Sequence, residues 1–235
     1  MVHLTPQHPY VTLRIKFRKV GSLQYISHLD LVRTMHKIII RSKLPLWYTE
    51  GFNPKPKMIF AAPLSIGTES VCEFMDLRLI DDIPPEEAMA RLNSNMTDEM
   101  QVLEAYYTED KMTELKWLAY TVEIGTDGAS EELAARCQSL LLGDEVIVAK
   151  KAKPHETPKT VDIRPLIKSV ETRYVDGVIR LNAVLSADAS SFLNPEYVIK
   201  ALREGVGILS NPDLTKEYYT IMRTEAYKAD MSIFK

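Results

Sequence analysis

The sequence predicts an α+β fold of two tandem ferredoxin-like units, each with the element order βαββαβ and an antiparallel sheet that carries helices on one face. Three observations lead to this fold class. The chain of 235 residues is long enough for two domains of about 100 residues, each with its own core. Apolar and polar residues alternate with a period of two in several short stretches, which indicates half-buried strands between helical segments. The order of these elements then repeats along the chain, and such repetition is evidence about the fold.

The first unit is expected to span residues 1–110 and to begin with a strand near 11–19, where apolar residues alternate with polar ones. Ser27 has the character of a helix N-cap, so a helix is predicted from residue 28 to about Lys43, before Pro45. Two right-handed βαβ crossovers in one sheet account for the order of elements. The remaining elements are a strand near 57–62, a strand near 70–80, a helix near 84–95 and a strand near 101–108.

The second unit is expected to span residues 117–235 and to repeat this order in pattern, without repeating the residue identities. Residues 109–116 are the predicted linker, and residues 151–160 form a polar loop with prolines that is inserted in the second unit. The predicted elements are a strand at 117–124, a helix at 130–142, strands at 145–150, 161–171 and 178–185, a helix at 195–204 and a strand at 217–227.

Composition is that of an ordinary soluble globular protein, with 46% hydrophobic and 26% charged residues. No apolar stretch approaches the roughly 18 residues of a membrane-spanning helix. The first ten residues, MVHLTPQHPY, lack the basic start and the apolar core of a signal peptide. We therefore expect a cytoplasmic protein without a membrane partner.

Cysteine usage argues against metal and cluster chemistry. Cys72 and Cys137 lie far apart in sequence, and neither has a His or Cys at ligand spacing. An iron–sulfur cluster needs three or four thiolates, and the chain has two. We expect buried or half-buried thiols, no metal site and no cofactor.

Positive charge is concentrated near the start of the chain, although the formal net charge is −3. Residues 13–57 contain ten Lys or Arg and two acidic residues, a surplus of eight positive charges. Clustered cations raise the local potential whatever the overall sum, so this asymmetry favours a polyanionic partner such as RNA. The alternative is a solvated surface balanced by acidic residues that fold nearby.

The first strand and the first helix are each expected to present their cations on a single face. Alternation in the first strand places Arg14, Lys16 and Arg18 on one sheet face, with Phe74 of a later strand near them. This face is either open, which favours RNA contact, or covered by the second unit, which would make Phe74 part of the packing between units. Spacings of three and four residues in the first helix produce one polar stripe. The stripe consists of Asp30, Arg33, Lys37 and Arg41. The inserted loop is a second basic patch, with Lys150, Lys151, Lys153 and Lys159. Lysines on a mobile loop are, however, more often solvated surface than a binding site.

The stretch 51–57, GFNPKPK, is the strongest single candidate for function. Gly51 permits a tight turn and two prolines stiffen the loop. Phe52 offers a stacking face beside Asn53, and Lys55 and Lys57 add charge, which suits single-stranded or looped RNA. In the alternative, Phe52 anchors the loop in the core.

His28 is a weak catalytic candidate. An imidazole titrates near neutral pH, so His28 could serve as a general base or contact a phosphate, with Tyr48 and Lys55 as further acid–base and electrostatic groups. At a helix start it can equally pack locally beside Ser27. No catalytic residue is predicted beyond this candidate.

Residues 21–70 contain three distinctive elements, S-H-L-D, G-F-N-P-x-P-K and P-L-x-x-G-x-E-S. Through these elements the stretch resembles an uncharacterised bacterial family, the radical-SAM-linked proteins, whose members occur alone or behind a radical-SAM domain. The resemblance implies an accessory role beside a radical-SAM enzyme, in RNA or ribosome-related metabolism. The cluster motif of the enzyme itself is missing here, so the resemblance does not imply radical chemistry by this chain.

At the level of the fold, this chain is analogous to two classes of RNA-binding protein: tandem ferredoxin-like CRISPR RNA-processing proteins and pseudouridine synthases. The chain lacks the C-terminal glycine-rich loop of the CRISPR proteins, and it lacks the Arg-Thr-Asp motif of the synthases. Three hypotheses follow. The preferred one is an RNA-binding accessory protein that acts with a radical-SAM partner. The others are an RNA-processing or RNA-modifying enzyme that uses His28, and a docking scaffold for a radical-SAM protein.

Overall fold

The structure, a computed structural model, describes residues 10–150, 159–213 and 215–235. The chain divides into two compact units: unit 1 comprises Met1–Met112 with Lys235, and unit 2 comprises Thr113–Phe234. The described residues contain four α-helices, and the strands within each unit pair antiparallel. The chain therefore has a mixed α and β fold with antiparallel sheets, as the sequence predicts at this level.

Unit 1 contains four strands and two helices. Strand β1 lies at the centre and pairs with β3 on one side and β4 on the other, and β2 pairs with β3, so the sheet order is β4-β1-β3-β2. The apolar face of β1 supplies Leu13, Ile15 and Phe17 to a buried core that includes Met35 of α1 and Leu92 of α2. The elements are β1 Val11–Lys19, α1 His28–Arg41, β2 Met58–Phe60, β3 Thr68–Leu79, α2 Pro85–Asn93 and β4 Met100–Tyr107.

Local signals set the ends of α1 much as the sequence predicts. The Ser27 hydroxyl accepts a hydrogen bond from the Asp30 amide at 3.2 Å, which satisfies one of the free N–H groups of the first turn. The helix ends at Arg41, two residues before the predicted end. Lys43 there adopts a left-handed conformation with φ +53°, which turns the chain out of the helix before Pro45.

Unit 2 repeats the strand order with an added hairpin. Its sheet order is β10-β5-β9-β8, and β6 pairs with β7 in a separate ladder. The elements are β5 Trp117–Gly125, α3 Glu131–Leu141, β6 Ile147–Ala149, β7 Thr160–Asp162, β8 Ile167–Val175, β9 Val178–Ser186, α4 Glu196–Val206 and β10 Tyr218–Tyr227.

The prediction of one strand over 161–171 is wrong. That stretch contains the end of β7 and the start of β8, which are separated by a helical turn at Arg164–Leu166. Pro165 lacks an N–H for a strand ladder, and this interrupts the strand.

Residues 151–158 of the predicted basic loop, with Lys151 and Lys153, lie outside the described residues. Lys150 and Lys159 close the base of the β6–β7 hairpin through a 2.8 Å backbone hydrogen bond.

Candidate nucleic-acid interface

The outward side of α1 carries the predicted polar stripe. Arg33, Lys37 and Arg41 are all exposed. Arg33 lies 3.3 Å from the carboxylate of Asp30, one turn earlier, in a solvent-exposed ion pair. The opposite side of the helix is buried through Leu31, Met35, Ile38 and Ile39. Packing of this apolar side fixes the rotation of the helix, so the cations of the stripe face solvent.

Residues 47–57 form a two-stranded arm that leaves the sheet after α1. The Thr49 amide donates to the Lys55 carbonyl at 2.9 Å, and the Lys57 amide donates to the Trp47 carbonyl at 3.0 Å. The Lys55 amide also donates to the Thr49 hydroxyl at 3.1 Å. The arm is thus a paired structure with its tip at residues 50–54, and the sequence predicted only a stiff loop over its second half.

The tip of the arm presents Phe52 to solvent. Phe52 is fully exposed, and its neighbours Asn53 and Lys55 are exposed as well. Gly51 has φ +126°, a conformation that residues with a side chain rarely adopt, and it sets the direction of the chain just before the ring. The alternative in which Phe52 anchors the loop in the core is therefore wrong.

A cluster of cations and aromatic rings surrounds the root of the arm, and we call it the root cluster: Tyr10, Trp47, Lys57 and Arg78. The Arg78 guanidinium lies 4.1 Å from the centre of the Tyr10 ring, and the Lys57 ammonium lies 5.6 Å from the centre of the Trp47 ring. Such contacts are favourable because a cation is attracted by the face of an aromatic ring. The sequence prediction missed the root cluster, since Arg78 comes from β3, although the stretch WYT before the turn and KPK after it could have indicated a paired arm.

Arg14 does not lie on an open sheet face, which corrects the expectation from the sequence. It is fully buried, and its guanidinium holds the Asp76 carboxylate through two hydrogen bonds of 2.7 and 2.9 Å. It also donates to the Asp110 carbonyl at 2.8 Å. Because its guanidinium binds these internal partners, Arg14 stabilises the fold. We therefore do not include Arg14 among the residues that we propose for RNA contact.

Lys16 and Arg18 are half-buried. The Lys16 ammonium lies 3.8 Å from the Glu104 carboxylate and 5.9 Å from the centre of the Phe74 ring, so the predicted proximity to Phe74 is observed. The Nε atom of Arg18 is buried and has no hydrogen-bond partner. Phe74 itself is buried. The first strand therefore contributes less exposed charge than expected, and α1 and the arm contribute more of it.

His28 lies at the exposed start of α1, and its ring packs nearly perpendicular to that of Phe60, with 5.5 Å between ring centres. This partner belongs to β2, whereas the sequence alternative had His28 packing locally beside Ser27. Tyr48 and Lys55 belong to the arm, and Lys55 precedes Phe60 by five residues of mostly extended chain, about 15 Å. The contacts described for Tyr48 and Lys55 are with other residues of the arm, and the ring contact of His28 is with Phe60.

The motif P-L-x-x-G-x-E-S contacts the helical turn Gly21–Tyr25, which precedes the start of α1. The Gly67 amide donates to the Gln24 carbonyl at 2.9 Å, and the Glu69 carboxylate accepts from the Gly21 amide at 2.6 Å. Gly21 has φ +62°, and a Cβ at this position would meet the Glu99 side chain. These contacts give Gly21, Gly67 and Glu69 a role in joining the turn before α1 to the start of β3.

Within the described ranges, no group of three or more His, Cys, Asp or Glu side chains is arranged to hold a metal ion. In the same part of the chain, no helix has the length and apolar character required to cross a membrane.

Solved structures resemble this chain in fold. In the crystal structure titled "Crystal Structure of a Cbf5-Nop10-Gar1 Complex", one chain matches with a TM-score of 0.52 and 11% identity. The match covers 93% of this chain and 50% of the other, so the present chain spans about half the length of the one it resembles. An unknown protein from Galdieria sulphuraria matches at 10% identity with a TM-score of 0.27, over 92% of this chain and 99% of the other.

Sequence comparison assigns a family. No curated protein matches the chain. One family model matches residues 12–195, which include unit 1 from Thr12 of β1 to Met112 and most of unit 2. The chain therefore belongs to the bacterial family described as "Uncharacterized protein conserved in bacteria (DUF2344)".

Proposed function

We propose that this chain is a cytoplasmic RNA-binding accessory protein that holds RNA through the outward side of α1 and the arm. The observation that carries the proposal is the exposure of Arg33, Lys37 and Arg41 on one side of α1, followed in the chain by an arm that exposes Phe52 and Lys55. Cations bind phosphates, and aromatic rings stack on unpaired bases.

The proposal includes a tandem ferredoxin-like architecture. Unit 1 has the element order βαββαβ and the sheet order fourth-first-third-second strand. Unit 2 has the same sheet order once the β6–β7 hairpin is treated as an insertion. In a ferredoxin-like unit both helices cover one face of the sheet, as α1 and α2 do when they pack on the apolar side of β1.

We also propose that the protein acts beside a radical-SAM enzyme. The support for this partner is the resemblance of residues 21–70 to radical-SAM-linked proteins, through three motifs that lie at the start of α1, on the arm, and in the turn that leads into β3 with the first residues of that strand. Co-purification of the tagged protein with a radical-SAM enzyme from its own cell would support this partner. Purification without such an enzyme would contradict it.

The experiment that tests RNA binding compares two variants with the same net charge. Lys37→Glu/Arg41→Glu reverses two exposed cations of α1, and Arg136→Glu/Arg203→Glu reverses two exposed helix cations of unit 2. Binding to total cellular RNA is measured by filter retention across a salt series. We expect the wild type to bind with a steep salt dependence, and the α1 variant to bind at least about tenfold more weakly, with a log–log salt slope reduced by about 1.4, or 0.7 per lost phosphate contact.

The Arg136→Glu/Arg203→Glu control is expected to retain most of the affinity. Equal losses in both double variants would mean that net charge alone governs binding, and the proposed interface would be wrong. Weak wild-type binding that does not change with salt would contradict RNA binding altogether.

A further inference from the structure

The arm is ordered before any partner binds. Two backbone hydrogen bonds and the hydroxyl of Thr49 join its strands, and Pro54 and Pro56 restrict the backbone on the returning side. A group on such a support loses little conformational freedom on binding, so more of the contact energy appears as affinity. The arm can therefore hold its tip residues at fixed positions.

The root of the arm is anchored to β3. The Trp47 amide donates to the Arg78 carbonyl at 2.8 Å, and the Arg78 amide donates to the Lys57 carbonyl at 3.2 Å. Both strands of the arm are thus attached to the same residue of the sheet, and the root cluster packs around that point. This attachment keeps the tip extended rather than folded back onto the apolar core.

The chemistry around Phe52 distinguishes between classes of partner. A protein partner that docks by apolar contact needs a contiguous apolar patch, but Phe52 is flanked in the sequence by Gly51, Asn53 and Pro54, with Lys55 next. A fully exposed ring beside an amide and an ammonium matches a nucleotide, which has a planar base, a hydrogen-bonding base edge and a phosphate. These neighbours favour RNA over protein.

We propose that Phe52 is the residue that selects unpaired RNA: its ring stacks on an unpaired base, Asn53 meets the edge of that base, and Lys55 holds a neighbouring phosphate. This inference rests on the proposed RNA-binding function and specifies the form of RNA that is bound. A duplex keeps its bases stacked on each other, and the A-form major groove is too deep and narrow for side chains to read, so the ring has no stacking partner in a duplex. Gly51 is a positioning residue for the ring.

The test uses the full chain and three RNA probes of equal length: an unstructured oligouridine, a hairpin with a large loop, and a blunt duplex. Phe52→Ala is expected to weaken binding of the first two between about 5-fold and 150-fold, as for the loss of one base–aromatic stack, and to leave duplex binding unchanged. Phe52→Trp, which keeps a ring, is expected to retain binding. Tyr25→Ala removes another exposed aromatic of unit 1 and is expected to change nothing.

A second pair of variants tests the position of the ring. Gly51→Ala has open space for its Cβ but strains the backbone at φ +126°, and it is expected to weaken binding of oligouridine but not of duplex. Gly128→Ala is the matched control. Gly128 lies in unit 2, has a positive φ of +72°, and also has open space around an added Cβ. Unchanged oligouridine binding by Gly51→Ala would overturn the positioning role.

The possible failures are distinguishable. If Phe52→Ala binds all three probes like the wild type while Lys37→Glu/Arg41→Glu loses binding, the stacking inference is wrong and the RNA-binding function stands. Equal losses of Phe52→Ala on duplex and single strands would also overturn the stacking inference. If the wild type binds no probe with salt-dependent affinity, both the inference and the proposed function are wrong.

Discussion

Arg14 shows how far a single residue can depart from the surface role that a charge pattern indicates. Period-two alternation correctly separates Arg14 from the core-facing Leu13 and Ile15. Its guanidinium nevertheless binds Asp76, which lies 62 positions later in the sequence and directly opposite it in the β1–β3 pairing. The alternation of one strand contains no information about this partner, so sequence reasoning assigned Arg14 to the interface.

At this scale we predict that Asp76→Asn is strongly destabilising. The substitution removes the carboxylate charge that holds the buried Arg14 guanidinium, and we expect the free energy of unfolding to fall by about 3–5 kcal/mol. Urea denaturation followed by circular dichroism measures this loss. Glu171→Gln, whose partner Arg173 is exposed, serves as the comparison and should cost less than about 1 kcal/mol. Similar small losses in the two variants would contradict a buried pair at Arg14.

At the scale of elements, helix α1 is well specified by local sequence. The N-cap, the apolar side and the chain reversal after Arg41 are all encoded within residues 27–43, and the predicted and observed ends differ by two residues at most. The arm is different, because its pairing depends on residues on both sides of the turn and on attachment to Arg78 of β3. Sequence reasoning therefore identified the tip but missed the root.

The cap of α1 provides a prediction at this scale. Ser27→Ala removes the acceptor for the Asp30 amide, and we expect a loss of about 1 kcal/mol in the free energy of unfolding. Urea denaturation is again the measurement. Ser139→Ala, at an exposed position inside α3, is the control and should be neutral or slightly stabilising because alanine has the higher helix propensity. Equal effects of the two substitutions would show that Ser27 does not act as a cap.

At the scale of the whole molecule, the two cysteines report separately on the two units. Cys72 lies in β3 of unit 1 and Cys137 in α3 of unit 2, and both are buried. Burial raises the pKa of the Cys137 thiol to about 11, which leaves little thiolate at neutral pH. Each thiol should therefore react only when its own unit opens.

We predict that neither thiol reacts measurably with a disulfide reagent in native buffer near pH 8, and that both react in urea. Cys72→Ala and Cys137→Ala variants separate the two signals, so the labelling of the remaining cysteine measures the opening of one unit at a time. Mass spectrometry of the labelled chain follows the reaction. Rapid labelling of either cysteine without denaturant would show that its unit does not bury the thiol as described.

The sequence shows where charged residues are concentrated along the whole chain, but it does not show which of them are buried and which are exposed. Residues 13–57 contain the positive surplus that directed attention to unit 1. In the structure Arg14 is fully buried, and Lys16 and Arg18 are half-buried. The cations on the outward side of α1 and Lys55 at the arm are exposed. The surplus of charge in sequence therefore indicated a region with exposed cations, and it overestimated the exposed charge of the first strand.

The sequence by itself determined the kinds and order of elements in unit 1 and most of those in unit 2, the start of α1, the polar stripe and the place of the arm tip. These depend on periodicity, caps, glycine and proline, which act within a few residues. Only the tertiary structure decided that Arg14 is buried, that Phe52 is exposed, that residues 47–57 are a paired arm, and that 161–171 is two strands. Burial and pairing depend on partners such as Asp76 and Arg78, which are distant in sequence and become neighbours only when the strands assemble.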